Sequence, residues 1–331
     1  MINNQFTRSK FLNIAKLSIL FLLTSCKGLS KKVSVGFYKN FFPLSFINSL
    51  PKNWKKENFN YENENLNNNL RDKDLLLIND GWLSRVEFKN FYDINNPLLD
   101  YLDDRSKDYL SNWELLKRKK LFPIGVVPYA VIIKNNQIYK ITNQNNWNFL
   151  LSKDLIGKII LPNSPRILFS LAERINDKNS LNKIMNQNNI YDDKNAIDWL
   201  INTDAVLAIL PLTICKQYLK IDSRLSIVLP NQGVPLMWNF LLFNNNVNQT
   251  LLLSWINKLL DKNTSKKLMR DGYYLPFNNE YIQSLYKDKN ESNIILNKPS
   301  EECWQNSWSF NYLKESEKVE FEKMWKNLLA P

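Results

Sequence analysis

The chain has 331 residues, 44% of them hydrophobic and 13% aromatic, enough to bury the core of one large or two medium domains. It contains no histidine and only three cysteines, which excludes a His/Cys zinc site, a Cys-His nucleophile and a Ser-His-Asp triad. The formal net charge of +12 is spread along the chain, and its longest basic cluster, Lys117 to Lys120, reads as a solvated helix face rather than a nucleic-acid surface.

At the N-terminus Arg8, Lys10 and Lys16 precede an apolar run from Leu17 to Leu23; Thr24, Ser25 and Cys26 follow, and no acidic residue occurs before Glu57. This is the basic region, short apolar region and small-residue cleavage site of an export signal over residues 1–25. The apolar run is shorter than the about 20 residues a membrane span takes, so the segment is expected to be removed. Leu23-Thr24-Ser25-Cys26 also resembles the lipobox of bacterial lipoproteins, which would make Cys26 the lipidated first residue of the mature chain. A plain secretory signal with an incidental cysteine is the alternative. Export would put Cys215 and Cys303 in a disulfide-permissive compartment, and one bridge or two buried thiols are both open.

Residues 26–32 read as a tether, and Val33 to Tyr38 has the alternation of a first strand. A polar, Asn-rich stretch over 52–74 leads to a buried strand at Leu75 to Ile78, a turn at Asn79-Asp80-Gly81 and a helix-like Trp82 to Val86. Gly125 to Ile133 is a long apolar strand in the middle of the chain, followed by a short helix over Trp147 to Leu155 and a strand over Lys158 to Leu161. Pro162-Asn163-Ser164-Pro165 then opens a helix from Arg166 to Arg174, with Ser164 as N-cap and Pro165 in the first turn. Further strands are expected over Asp204 to Leu210 and Ser226 to Leu229, the latter before the loop Pro230-Asn231-Gln232-Gly233. Gln249 to Leu260 and Lys314 to Leu329 carry apolar residues at helical spacing. Strands alternating with helices indicate an α/β fold with largely parallel sheets, which binds ligands at the carboxyl ends of its strands.

The segments Asp74-Leu-Leu-Leu-Ile-Asn-Asp-Gly-Trp-Leu83, Val127-Pro-Tyr-Ala130, Trp147 through Gly157-Lys-Ile-Ile-Leu-Pro-Asn-Ser-Pro-Arg166, Pro230-Asn-Gln-Gly233 and Asp271-Gly-Tyr-Tyr-Leu-Pro276 resemble, in order and spacing, the periplasmic spermidine/putrescine-binding proteins. That resemblance implies a type II periplasmic-binding-protein fold, two α/β lobes joined by hinge strands. Residues 33–130 plus about 238–285 would form one lobe and 131–237 plus about 286–331 the other. It also implies a monomeric, periplasmic protein that closes on a small solute and delivers it to an ABC permease in the inner membrane, to which the Cys26 reading adds a lipid anchor. No cofactor, resident metal or catalytic role is expected, since Asp103-Asp104 and Asp192-Asp193 read as surface turn pairs.

Polyamine recognition takes carboxylates for the ammonium groups and aromatic faces for the methylene chain. Where the family carries acids, this chain has Ser164, Ile167 and Asn239, and Met237 stands at the family's aromatic position. The candidate ligand residues are therefore Tyr38, Asp80, Trp82, Tyr129, Ser164, Arg166, Trp238, Asn239 and Tyr273. Asp80 is expected either to hold one amine or to cap the next helix as an Asx turn, and Trp238 to stack on the ligand. Ser164 and Arg166, at a helix start, suit an anionic group, or Arg166 forms a structural ion pair. A polyamine-type cation is the first ligand expected, with a neutral or amino-acid-like solute, ferric iron, or a scaffold without ligand as alternatives.

Overall fold

The computed structural model describes residues 32–38, 50–59, 73–95, 97–139, 145–187, 189–192, 194–245, 261–285 and 299–310, with scattered positions at 42–48, 247, 256–257 and 317–325. The signal, Cys26 and most of the helix expected over 249–260 lie outside the described residues. No helix among the described residues is long and apolar enough to cross a membrane.

Among the described residues ten strands form one sheet. They are β1 Ser34–Tyr38, β2 Lys55–Phe59, β3 Leu75–Asn79, β4 Phe122–Lys134, β5 Ile159–Leu161, β6 Ile190–Tyr191, β7 Leu207–Pro211, β8 Leu225–Val228, β9 Pro235–Phe243 and β10 Trp308–Ser309. The order is β2-β1-β3-β9-β4-β7-β5-β6, with β8 also on β4 and β10 on β9. The expected parallel sheet is instead mixed. β1 is parallel to β2 and β3, and β5 to β6 and β7, but β9 runs antiparallel to β3 and β4, and β4 antiparallel to β7 and β8. The physical reason is the path: the chain runs out along β4 and comes back along β9, so the two strands must oppose each other.

β4 joins the two halves of the sheet. Its residues Phe122 to Pro128 pair with β9 and Tyr129 to Ile133 with β7. Two prolines sit where the ladder can spare an N–H: Pro123 at a register shift, and Pro128 where the strand changes partners. Covered on both faces, the strand is buried from Phe122 to Ile133, which is why it reads as an unbroken apolar run.

The helices lie around this sheet as α1 Asp104–Ser111, α2 Leu115–Arg118, α3 Pro165–Glu173, α4 Ser180–Met185, α5 Ala196–Asn202, α6 Leu212–Leu219, α7 Lys262–Arg270, α8 Asn279–Leu285 and α9 Glu301–Asn306. Side-chain caps fix several starts. Asp103 accepts from Ser106 N at 2.8 Å, Asp261 from Thr264 N at 2.8 Å and Ser300 from Cys303 N at 3.1 Å. The single helix expected over Trp147 to Leu155 is instead two 3-10 turns, Trp147–Leu151 and Lys153–Leu155. Tertiary bonds hold it short: Trp147 donates its backbone N–H to Gln232 at 2.9 Å and its indole N–H to Gly233 O at 2.8 Å. Cys215 in α6 and Cys303 in α9 are both buried and free, so the bridge left open by the sequence is not made.

Candidate functional site

Where the two halves of the sheet meet, a cleft of about 460 Å³ opens at the carboxyl end of β3. One wall is Asn79 to Trp82 with Tyr129 and Met237; the other is Asn163 to Ile167 with Leu210, Pro211, Ile214, Lys194 and Phe310. Both walls follow strands that the buried core fixes in place: β3 leads into the 3-10 helix Asp80–Arg85, and β5 into α3. Asn79, not Asp80, is the residue that caps this turn, accepting from Gly81 N at 3.0 Å.

Asp80 thereby points elsewhere. Its carboxylate, only 2% exposed, accepts from Arg166 Nη2 at 2.5 Å and from the Tyr109 hydroxyl at 3.0 Å. The ion pair spans the cleft, from the turn after β3 to the first turn of α3. The Arg166 guanidinium also covers the Phe310 ring, 3.9 Å from its centroid. Behind Asp80, Tyr109 stacks on Trp238 with centroids 4.4 Å apart and planes within 4°, and Trp238 donates its indole N–H to Ser309 Oγ at 2.8 Å. Burial, reinforced by the charge of Asp80, pushes the Tyr109 hydroxyl well above the usual tyrosine range, so it remains a donor.

Five of the nine expected site residues line the cleft together: Asp80, Trp82, Tyr129, Ser164 and Arg166. Ser164 sits before α3, as its sequence position implies, but its side chain caps no amide there. Trp238, Asn239 and Tyr273 are packed into the core instead. Trp238 is used up by Tyr109 and Ser309, and the Tyr273 ring fills the space above Gly125, where a Cβ would stand 2.6 Å from its Cδ1. Asn239 lies opposite Asn79 and Gly125, fully buried, and neither side-chain atom has a hydrogen-bond partner among the described residues. Tyr274 packs against Trp304, away from the cleft. Tyr38 ends β1, and its side chain lies outside the described residues.

Tyr109, Phe310, Lys194 and Ile214 were not legible as site residues. They come from helices and loops far apart in sequence, and no local pattern marks them. Among the described residues no group of three or more His, Cys, Asp or Glu could hold a metal ion.

These features define the class: the chain has the two-lobed type II periplasmic-binding-protein fold, with a cleft between its lobes. Among similar solved structures is the substrate-binding protein of a spermidine/putrescine ABC transporter from Streptococcus pneumoniae, with TM-score 0.67 and 11% identity over 90% of this chain and 98% of that one. The TpPotD lipoprotein of Treponema pallidum matches at TM-score 0.64 and 12% identity, over 90% of this chain and 99% of that one. A ferric binding protein from Campylobacter jejuni matches at TM-score 0.60 and 13% identity, again over 90% and 99%. At such identities the likeness is one of fold. No family model and no curated protein sequence matches the chain.

Proposed function

We propose that the chain is the lipid-anchored solute-binding component of an ABC importer. In this reading Cys26 carries the anchor, and the monomeric, periplasmic protein closes its two lobes on a small solute and presents it to an inner-membrane permease. The lobes are residues 33–130 plus about 238–285 and residues 131–237 plus about 286–331, and the change of partners within β4 at Pro128 supports that division. The observation that carries the reading is the cleft of about 460 Å³, walled by both lobes in a fold shared over 90% of the chain with such transport proteins.

The ligand follows less directly from that likeness. A polyamine is what the Streptococcus pneumoniae protein's transporter is named for, but here the one carboxylate lining the cleft among the described residues is already paired with Arg166. Ferric iron takes several hard oxygen ligands, and among the described residues the cleft's lining offers that paired carboxylate and the Tyr129 phenol as anionic ones. A neutral or amino-acid-like solute fits the lining better than either.

The test is thermal unfolding with amines, amino acids, organic acids, sugars and ferric citrate, joined to mass spectrometry of any molecule retained on native purification. A true ligand at a hundred times its dissociation constant adds about 2.7 kcal/mol of stability. No retained molecule and no shift with any probe would point to a scaffold without a ligand.

A further inference from the structure

We propose that Arg166 is a built-in cation that fills the acidic subsite of the cleft and turns the site toward a solute carrying an anionic group, a carboxylate being the best match. The inference rests on the solute-binding reading and names its substrate class.

An ammonium ligand is held by a carboxylate for its charge and an aromatic face to cover it. The cleft has both, Asp80 and Phe310, and both are already engaged by Arg166: the carboxylate at 2.5 Å, the ring at 3.9 Å from the guanidinium carbon. Tyr109 takes a further share of the carboxylate, whose side chain is 2% exposed. An amine could reach Asp80 only by displacing a guanidinium that the protein itself supplies at no cost in association entropy.

Among the described lining residues the charged ones are Asp80, Arg166 and Lys194, and Asp80 is the ion-pair partner of Arg166. A guanidinium has five N–H donors in a planar fork, and among the described residues Arg166 uses one of them, on Asp80. With its side chain 24% exposed, Arg166 retains donors for a second carboxylate, and that second carboxylate would come from the solute.

The experiment is a calorimetric and thermal-shift titration of wild type, R166K, R166Q and D80N with putrescine, spermidine, succinate, glutamate, inorganic phosphate and glucose. In wild type at least one anion binds and neither amine does. R166K keeps that preference. R166Q weakens the anion by about tenfold or more and gains a response to putrescine at the freed Asp80. D80N, which leaves no buried charge unpaired, binds the anion more tightly than wild type, and it carries the test should R166Q fail to fold. Amine binding to wild type, anion affinity unchanged in R166Q, or anion affinity not improved in D80N would each overturn the proposal. A response to glucose or an amine with none to the anions sinks this inference and leaves the importer reading standing. No response to any probe, with nothing retained on purification, counts against both.

Discussion

Cys215 and Cys303 illustrate how much a single side chain's surroundings decide. Cys215 is held in α6 with its thiol 3.7 Å from Leu210 O, Cys303 sits in the first turn of α9, and burial pushes both thiols above their usual range. A chain of residues 27–331, which lacks Cys26, should therefore show no thiol titratable by Ellman's reagent when native and two when denatured without reductant. No thiol in denaturant would mean a bridge and refute the free state. At the same scale the site was half legible. Asp80 and Arg166 were each identifiable from the turn and helix start they occupy, but their pairing was not, because 86 positions separate them and the contact exists only once the two lobes face each other. Tyr109, the third partner, is an unremarked residue in a polar helix until the fold sets it under Trp238.

Elements were legible where burial wrote an unbroken apolar run. The runs at Leu75 to Ile78 and Gly125 to Ile133 became β3 and the core of β4, because strands covered on both faces exclude polar residues. Strand direction was not legible, since an apolar run looks the same from either end, and the 3-10 turns over Trp147–Leu155 were hidden because their bonds to Gln232 and Gly233 are tertiary. One glycine of β4 shows the same dependence. Gly125 → Ala would put a methyl group 2.6 Å from the Tyr273 ring, and that ring has no room to retreat, being 1% exposed. Overpacking of this kind costs about 1–3 kcal/mol, so the denaturant midpoint should fall by that energy divided by the slope, with the slope unchanged. An unchanged midpoint would show that the ring yields freely. Gly233 makes a parallel demand at the loop before β9: its φ is +92° and a Cβ would meet the Asn306 carbonyl at 2.2 Å.

For the whole molecule, buried tyrosines, among them Tyr109 beneath the cleft's ion pair, set a limit at high pH. Tyr109, Tyr273 and Tyr274 are all buried, and burial is the first cause raising each hydroxyl above the tyrosine range; Tyr92 and Tyr191 are pushed up to about 12. In the unfolded chain tyrosine ionises near about pH 10. Above that pH the unfolded state loses protons that the native state keeps, so it binds fewer, and stability must fall as pH rises. Each buried hydroxyl reaches about 1.4 kcal/mol per pH unit once the unfolded tyrosine is fully ionised and about 1 kcal/mol over the first unit, so the three buried tyrosines alone remove about 3 kcal/mol between about pH 10 and 11. Denaturant midpoints should be level through neutral pH and drop steeply above about pH 10, and tyrosinate absorbance from these side chains should appear only with unfolding. Y109F isolates one member. It removes a hydrogen bond to a buried carboxylate, at a cost of about 1.5–3 kcal/mol at neutral pH, but also removes one titrating group, so its alkaline decline is shallower than wild type's. If wild type holds its midpoint to about pH 11, the buried tyrosines do not set the alkaline limit, and if Y109F declines as steeply, Tyr109 is not one of the groups that do.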